Sequence, residues 1–177
     1  MEWYWFLALV LTVFLSKKYG LPRPLHTVRI SGKLLKADFK IGRKVCATMG
    51  KDGFLMFENG DSFSLYNEGK RDVGLIGVRN DNLPQPKAVR DPTSGELTID
   101  IADHKFKVVP CSHYRFFYAD YKILLNDKIV GTFRTTKSRT PLFTDFYVDL
   151  PEREMVLITV LASEAPDPEE SLPTDET

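Results

Sequence analysis

The residues of this chain able to do chemistry are two cysteines, three histidines and several close carboxylate pairs. Cys111 and His113 stand two apart, His104 precedes them and Cys46 lies upstream, which are the residue types of a thiolate–imidazole metal site. Structural zinc sites use paired close spacings, and neither cysteine belongs to a C-x-x-C. On a strand Cys111 and His113 would share one face, as a nucleophile and its base must, but the orienting third group and the oxyanion donors have no counterpart in the sequence. The carboxylate pairs Asp100/Asp103, Asp145/Asp149 and Glu152/Glu154 would need opposed pKa shifts for acid–base work, and turns and a helix start already account for them. Gly69-Lys70 and the glycines at 74 and 77 do not make a phosphate loop, because no G-x-x-x-x-G-K-[ST] is present. The expectation is a chain that is not an enzyme, with no catalytic residue, metal or cofactor.

Basic residues are more informative. Lys105 and Lys107 share one face of a predicted strand, and Arg115, Lys122, Arg134, Lys137 and Arg139 follow them. The formal net charge is zero, yet the last fourteen residues hold Glu164, Asp167, Glu169, Glu170, Asp175 and Glu176 with no Lys or Arg. With Glu2 also set aside, residues 17–163 carry 17 acids against 24 bases, a formal +7. Such a field favours anionic partners, and these seven cations are the candidate lipid-binding residues. No aromatic–basic motif of an RNA-binding module occurs, so nucleic acid is not the expected partner. Two cysteines far apart imply no disulfide framework, and a reducing compartment is the simpler reading.

Such a patch needs something to hold it at a membrane. Residues 3–16, WYWFLALVLTVFLS, carry no charge. Fourteen residues are short for a span of about 20, and a signal-peptide core has this length too. A signal peptide, however, has basic residues before its apolar core, whereas here Glu2 precedes it and Lys17 and Lys18 follow it. The reading is a retained single-pass membrane anchor, residues 1–19, with Trp3 and Trp5 at one interface and Lys17 and Lys18 at the other. The positive-inside rule then places the N-terminus outside and the rest of the chain in the cytoplasm. Residues 20–24 are a stiff linker, since Pro22 and Pro24 stop a helix from continuing.

Residues 25–163 read as one β-rich domain. Short alternating or β-branched runs at 26–30, 34–41, 44–49, 54–58, 62–66, 73–79, 87–90, 97–101, 105–109, 114–118, 121–125, 129–134 and 143–149 are separated by turn residues such as Asn59-Gly60 and Asn126-Asp127. Near the end, Pro151 and the acids Glu152 and Glu154 lead into an apolar run, 155–162. Proline and acids at its start favour a helix, and its β-branched content leaves a strand open. Residues 164–177 hold three prolines, six acids and a single Leu, the composition of an acidic disordered tail.

The stretches Ile129-Val130-Gly131-Thr132-Phe133-Arg134 and Thr144-Asp145-Phe146-Tyr147-Val148-Asp149-Leu150-Pro151, followed by the apolar run 155–162, resemble the tubby-like superfamily, which includes LURP-one-related proteins and phospholipid scramblases. The resemblance implies an antiparallel β-barrel of about twelve strands around a C-terminal hydrophobic helix. No acidic calcium-binding segment of the scramblase kind is evident near Asp145 or Asp149, so scramblase activity does not follow. The chain is thus expected to bind membrane lipid, through anionic phospholipid headgroups, or a membrane protein partner at the cytoplasmic face. The main alternative is an accessory subunit of a larger membrane complex, and a third is a hydrolase or isomerase using Cys111 or His113.

Overall fold

Where polar and apolar side chains alternate, the computed structural model holds the chain in extended strands. The structure describes residues 23–33, 36–68, 72–77, 85–91, 94, 96–101, 103–111, 118–136 and 141–163. Twelve strands lie among them: β1 (His26–Lys33), β2 (Lys36–Ile41), β3 (Lys44–Gly50), β4 (Phe54–Phe57), β5 (Ser62–Glu68), β6 (Asp72–Gly77), β7 (Lys87–Arg90), β8 (Leu97–Ile101), β9 (His104–Pro110), β10 (Tyr118–Leu125), β11 (Lys128–Thr136) and β12 (Pro141–Phe146). One helix follows, α1 (Glu152–Ala162).

Each strand pairs antiparallel with its sequence neighbours, and β1 also pairs with β12 from His26↔Phe146 to Arg29↔Phe143, which closes the sheet. Tight turns make this neighbour-to-neighbour order possible. Asn126 and Asp127 take φ of 51° and 60°, the doubly left-handed geometry of a two-residue hairpin between β10 and β11. Between β4 and β5 Gly60 has φ 89°, and the Asn59 side chain accepts a 3.0 Å hydrogen bond from the Asp61 N–H.

The inward positions of the strands, among them Phe39, Leu55, Phe63, Ile99, Phe106, Ile123, Phe133 and Phe146, surround α1. From Met155 to Ala162 eight consecutive helical residues are buried, including Thr159, whose hydroxyl donates to the Met155 carbonyl at 2.8 Å. The helix packs on β1, β3, β8 and β12, strands from different parts of the sheet, so it is covered on all sides. Its mouth end is tied down by charges: Lys44 Nζ donates to Glu152 at 2.7 Å, and Arg153 lies 3.3 Å from Asp61.

Two strand expectations need correction. Tyr118, the one described residue of the run at 114–118, shares a strand with 121–125, because Asp120 is held in the ladder opposite Arg134 instead of forming a turn. The strand expected at 143–149 lies earlier, at Pro141–Phe146; the chain bends at Tyr147 and Val148, which brings Val148 and Leu150 against the core ahead of Pro151. The apolar run at 155–162 is helix. Among the described residues no helix is long and apolar enough to cross a membrane. The expected anchor (1–19), with Trp3, Trp5, Lys17 and Lys18, and the acidic tail (164–177) lie outside the described residues.

Ile158 is fully buried on the helix, and truncation there leaves a cavity as well as losing transfer free energy. Ile158→Ala is expected to lower the unfolding free energy by about 2–5 kcal/mol in a denaturant titration. A loss below about 1 kcal/mol would show that α1 is not enclosed.

Candidate functional site

With the interior filled by α1, chemistry is left to the outer wall, where register decides which side chains meet. One row runs Lys40, Arg29, Phe143, Arg134, Asp120 across β2, β1, β12, β11 and β10. The row beside it runs Thr27, Asp145, Thr132, Lys122, Val109 across β1, β12, β11, β10 and β9. Directly opposite residues share a face with Cβ atoms about 5 Å apart, so these are contact rows. At Gly131 an added Cβ would stand 2.6 Å from the Asp145 carbonyl, so glycine lets β11 and β12 lie close beside the rows.

Arg134 is the best-fixed side chain on this wall. Its Nε and Nη2 donate to the two carboxylate oxygens of Asp120 at 2.6 and 2.9 Å, and its guanidinium lies 5.2 Å from the Phe143 ring centroid and 5.7 Å from that of Tyr118. The hydrogen bond to Asp120 raises the Arg134 pKa further, against a smaller opposing effect of burial. Beside it a cleft of about 250 Å³ is lined by Cys111, Asp120, Thr132, Arg134, Asp145 and Tyr147, with Phe133 and Phe143 completing the wall. Thr27 Oγ1 donates to Asp145 Oδ1 at 2.6 Å, and the Thr132 and Tyr147 hydroxyls are 3.2 Å apart. Burial raises the Tyr147 phenol, with the Thr132 hydrogen bond opposing.

The cations singled out from sequence are only partly brought together. Lys105 lies 3.7 Å from Asp100, Lys107 lies 3.7 Å from Asp127, and Arg134 is held by Asp120, so three of them already have carboxylate partners. Lys122 is exposed on the same wall and forms no ion pair among the described residues. Arg115, Lys137 and Arg139 lie outside the described residues.

A second group of cations went unnoticed in the sequence. Arg29 and Lys40 face each other directly across β1 and β2, and neither has an ion-pair partner among the described residues. Arg29 lines a shallow cleft of about 420 Å³ with Leu25, His26, Thr27, Ile41 and Gly42. Exposed Arg23 and Arg43 flank this stretch in the chain, likewise without ion pairs among the described residues. Leu25 itself is 61% exposed. Only the β1–β2 register joins residues eleven apart in sequence, and spacing alone gives no hint of it.

Both cysteines are free, Cys46 buried and Cys111 partly so, and burial raises both thiols. His113 lies outside the described residues, and among the described residues no group of His, Cys, Asp and Glu could hold a metal ion. Comparison with protein-family models, curated proteins and solved structures returns no match.

Two outcomes follow from this geometry. Asp120→Ala leaves a largely covered guanidinium without its bidentate partner and is expected to cost about 1–3 kcal/mol of stability by denaturant titration. Because the thiolate is the reactive form and burial keeps the Cys111 thiol protonated, iodoacetamide should label Cys111 more slowly at neutral pH than an unhindered peptide thiol, and faster as pH rises past the ordinary thiol range. Labelling as fast as the peptide thiol would refute that protection.

Proposed function

We propose that this chain is a non-catalytic, membrane-anchored domain of tubby-like barrel architecture that holds anionic phospholipid headgroups at the cytoplasmic face of its membrane. The observation that carries the reading is the Arg29–Lys40 pair. Like charges directly opposite in a sheet are destabilising, and no carboxylate among the described residues neutralises these two. An anion bound between them removes that repulsion. Their location adds support, because β1 is the strand into which residues 1–24 lead, and exposed Leu25 at its start offers an apolar contact beside the cations. An anchor at 1–19 would keep this wall near the bilayer, where each cation at an anionic surface contributes about 1 kcal/mol and tethering raises the effective lipid concentration. Lys122 extends the basic wall, whereas Lys105, Lys107 and Arg134 contribute less because their charges are already paired.

Vesicle flotation of the chain begun at Arg23 tests this reading. Binding to vesicles containing phosphatidylserine is expected, with little binding to phosphatidylcholine alone and release at high salt. The Arg29→Ala, Lys40→Ala double variant should bind about thirtyfold more weakly, the equivalent of about 2 kcal/mol for two surface cations. Lys105→Ala with Lys107→Ala should have a smaller effect. Equal flotation on neutral and anionic vesicles, or no loss in the Arg29/Lys40 variant, would reject the proposal.

A further inference from the structure

We propose that the cleft between β11 and β12 is a binding site for a primary ammonium group on a short alkyl chain. Two carboxylates, Asp120 and Asp145, flank a single guanidinium, and among the described residues Arg134 gives both of its hydrogen bonds to Asp120. That pair is internally neutral. Asp145 is not matched in this way: its described hydrogen bond comes from the neutral hydroxyl of Thr27 on Oδ1, and it forms no ion pair among the described residues. Arg134 interacts with Asp145 through space, but its hydrogen bonds go to Asp120.

The acceptors around Asp145 match an ammonium in number. Thr132 stands directly opposite Asp145 across β11 and β12, and Tyr147 lies two residues further along the same chain with its hydroxyl 3.2 Å from that of Thr132. Asp145, Thr132 and Tyr147 all line the cleft, and between them they offer a carboxylate and two hydroxyl oxygens to a ligand there. A primary ammonium has three N–H donors and no acceptor, whereas a quaternary ammonium has no donor for these oxygens. A cleft of about 250 Å³ suits a chain of a few carbons. Such a group occurs in free short amines and in the aminoethyl headgroup of phospholipids. Lys122 lies beyond Thr132 in the same row, and a ligand must accommodate its positive charge.

The test is a titration of the full-length chain in detergent micelles with ethylammonium chloride, followed by backbone amide NMR. Saturable shifts concentrated at Thr132, Arg134, Asp145 and Tyr147 are expected. Asp145→Asn preserves shape and the Thr27 hydrogen bond while removing the charge, and should weaken binding about tenfold or more. Tyr147→Phe is expected to weaken it several-fold, and Lys122→Met to leave it unchanged or tighter. Tetramethylammonium should not compete. Displacement of ethylammonium by ethanolamine-headgroup vesicles, but not by choline-headgroup vesicles, would identify a lipid source; saturable binding without displacement would identify a free amine. Shifts scattered over the surface, or equal binding by Asp145→Asn, would overturn the site. None of these outcomes depends on Arg29 or Lys40, so failure of the anionic-lipid reading and failure of this one are separately visible.

Discussion

An amphipathic helix can lie on a sheet with one face in water, but α1 has no face to spare. Eight consecutive residues, Met155 to Ala162, are apolar or carry a hydroxyl satisfied within the helix, and exposing any side of them would forfeit hydrophobic free energy of about 1.5–3 kcal/mol for each large side chain. A single open sheet covers one side only. Pairing β1 with β12 wraps the strands round the helix and at the same time occupies backbone groups that open edges would leave unpaired. The helix therefore dictates the closure of the sheet, its large inward residues and the ion pairs that fasten the helix mouth to β3 and to the turn after β4.

Filling the interior in this way moves recognition to the outer wall. There the pleat arranges side chains in rows, and each row has its own electrostatic character. Carboxylates largely answer the cations of β9 and β11, whereas Arg29 and Lys40 face one another without one among the described residues. In the neighbouring row Asp145 forms no ion pair among the described residues, and Lys122 stands two strands away from it. Both imbalances sit on rigid strands, so neither can be relieved by a loop moving away.

Most strands were legible, and the helix was favoured with a strand left open, because their signals are local. Alternation marked the strands, Asn59-Gly60 and Asn126-Asp127 marked turns, and Pro151 with Glu152 and Glu154 marked the helix start. Local signals mislead where they compete with register: Asp120 resembles a turn residue until Arg134 stands opposite it, and Val148 has strand propensity but leaves the ladder to pack against the core. The sites were less legible still. Lys105 and Lys107 drew notice through their spacing, but their partners Asp100 and Asp127 come from other segments. Arg29 with Lys40, and Asp145 with Thr132, become neighbours only through pairings between strands.

The seam between β1 and β12 has a kinetic consequence. Every other pairing joins strands adjacent in sequence, whereas His26↔Phe146 spans most of the domain. Closing that loop carries a large entropy cost before its hydrogen bonds form, and α1, which follows β12, must be inside when it shuts. The seam is thus the late step of folding and the natural first breach in unfolding. A domain opened there would expose its apolar helix and two sheet edges together, the combination of surfaces that invites aggregation.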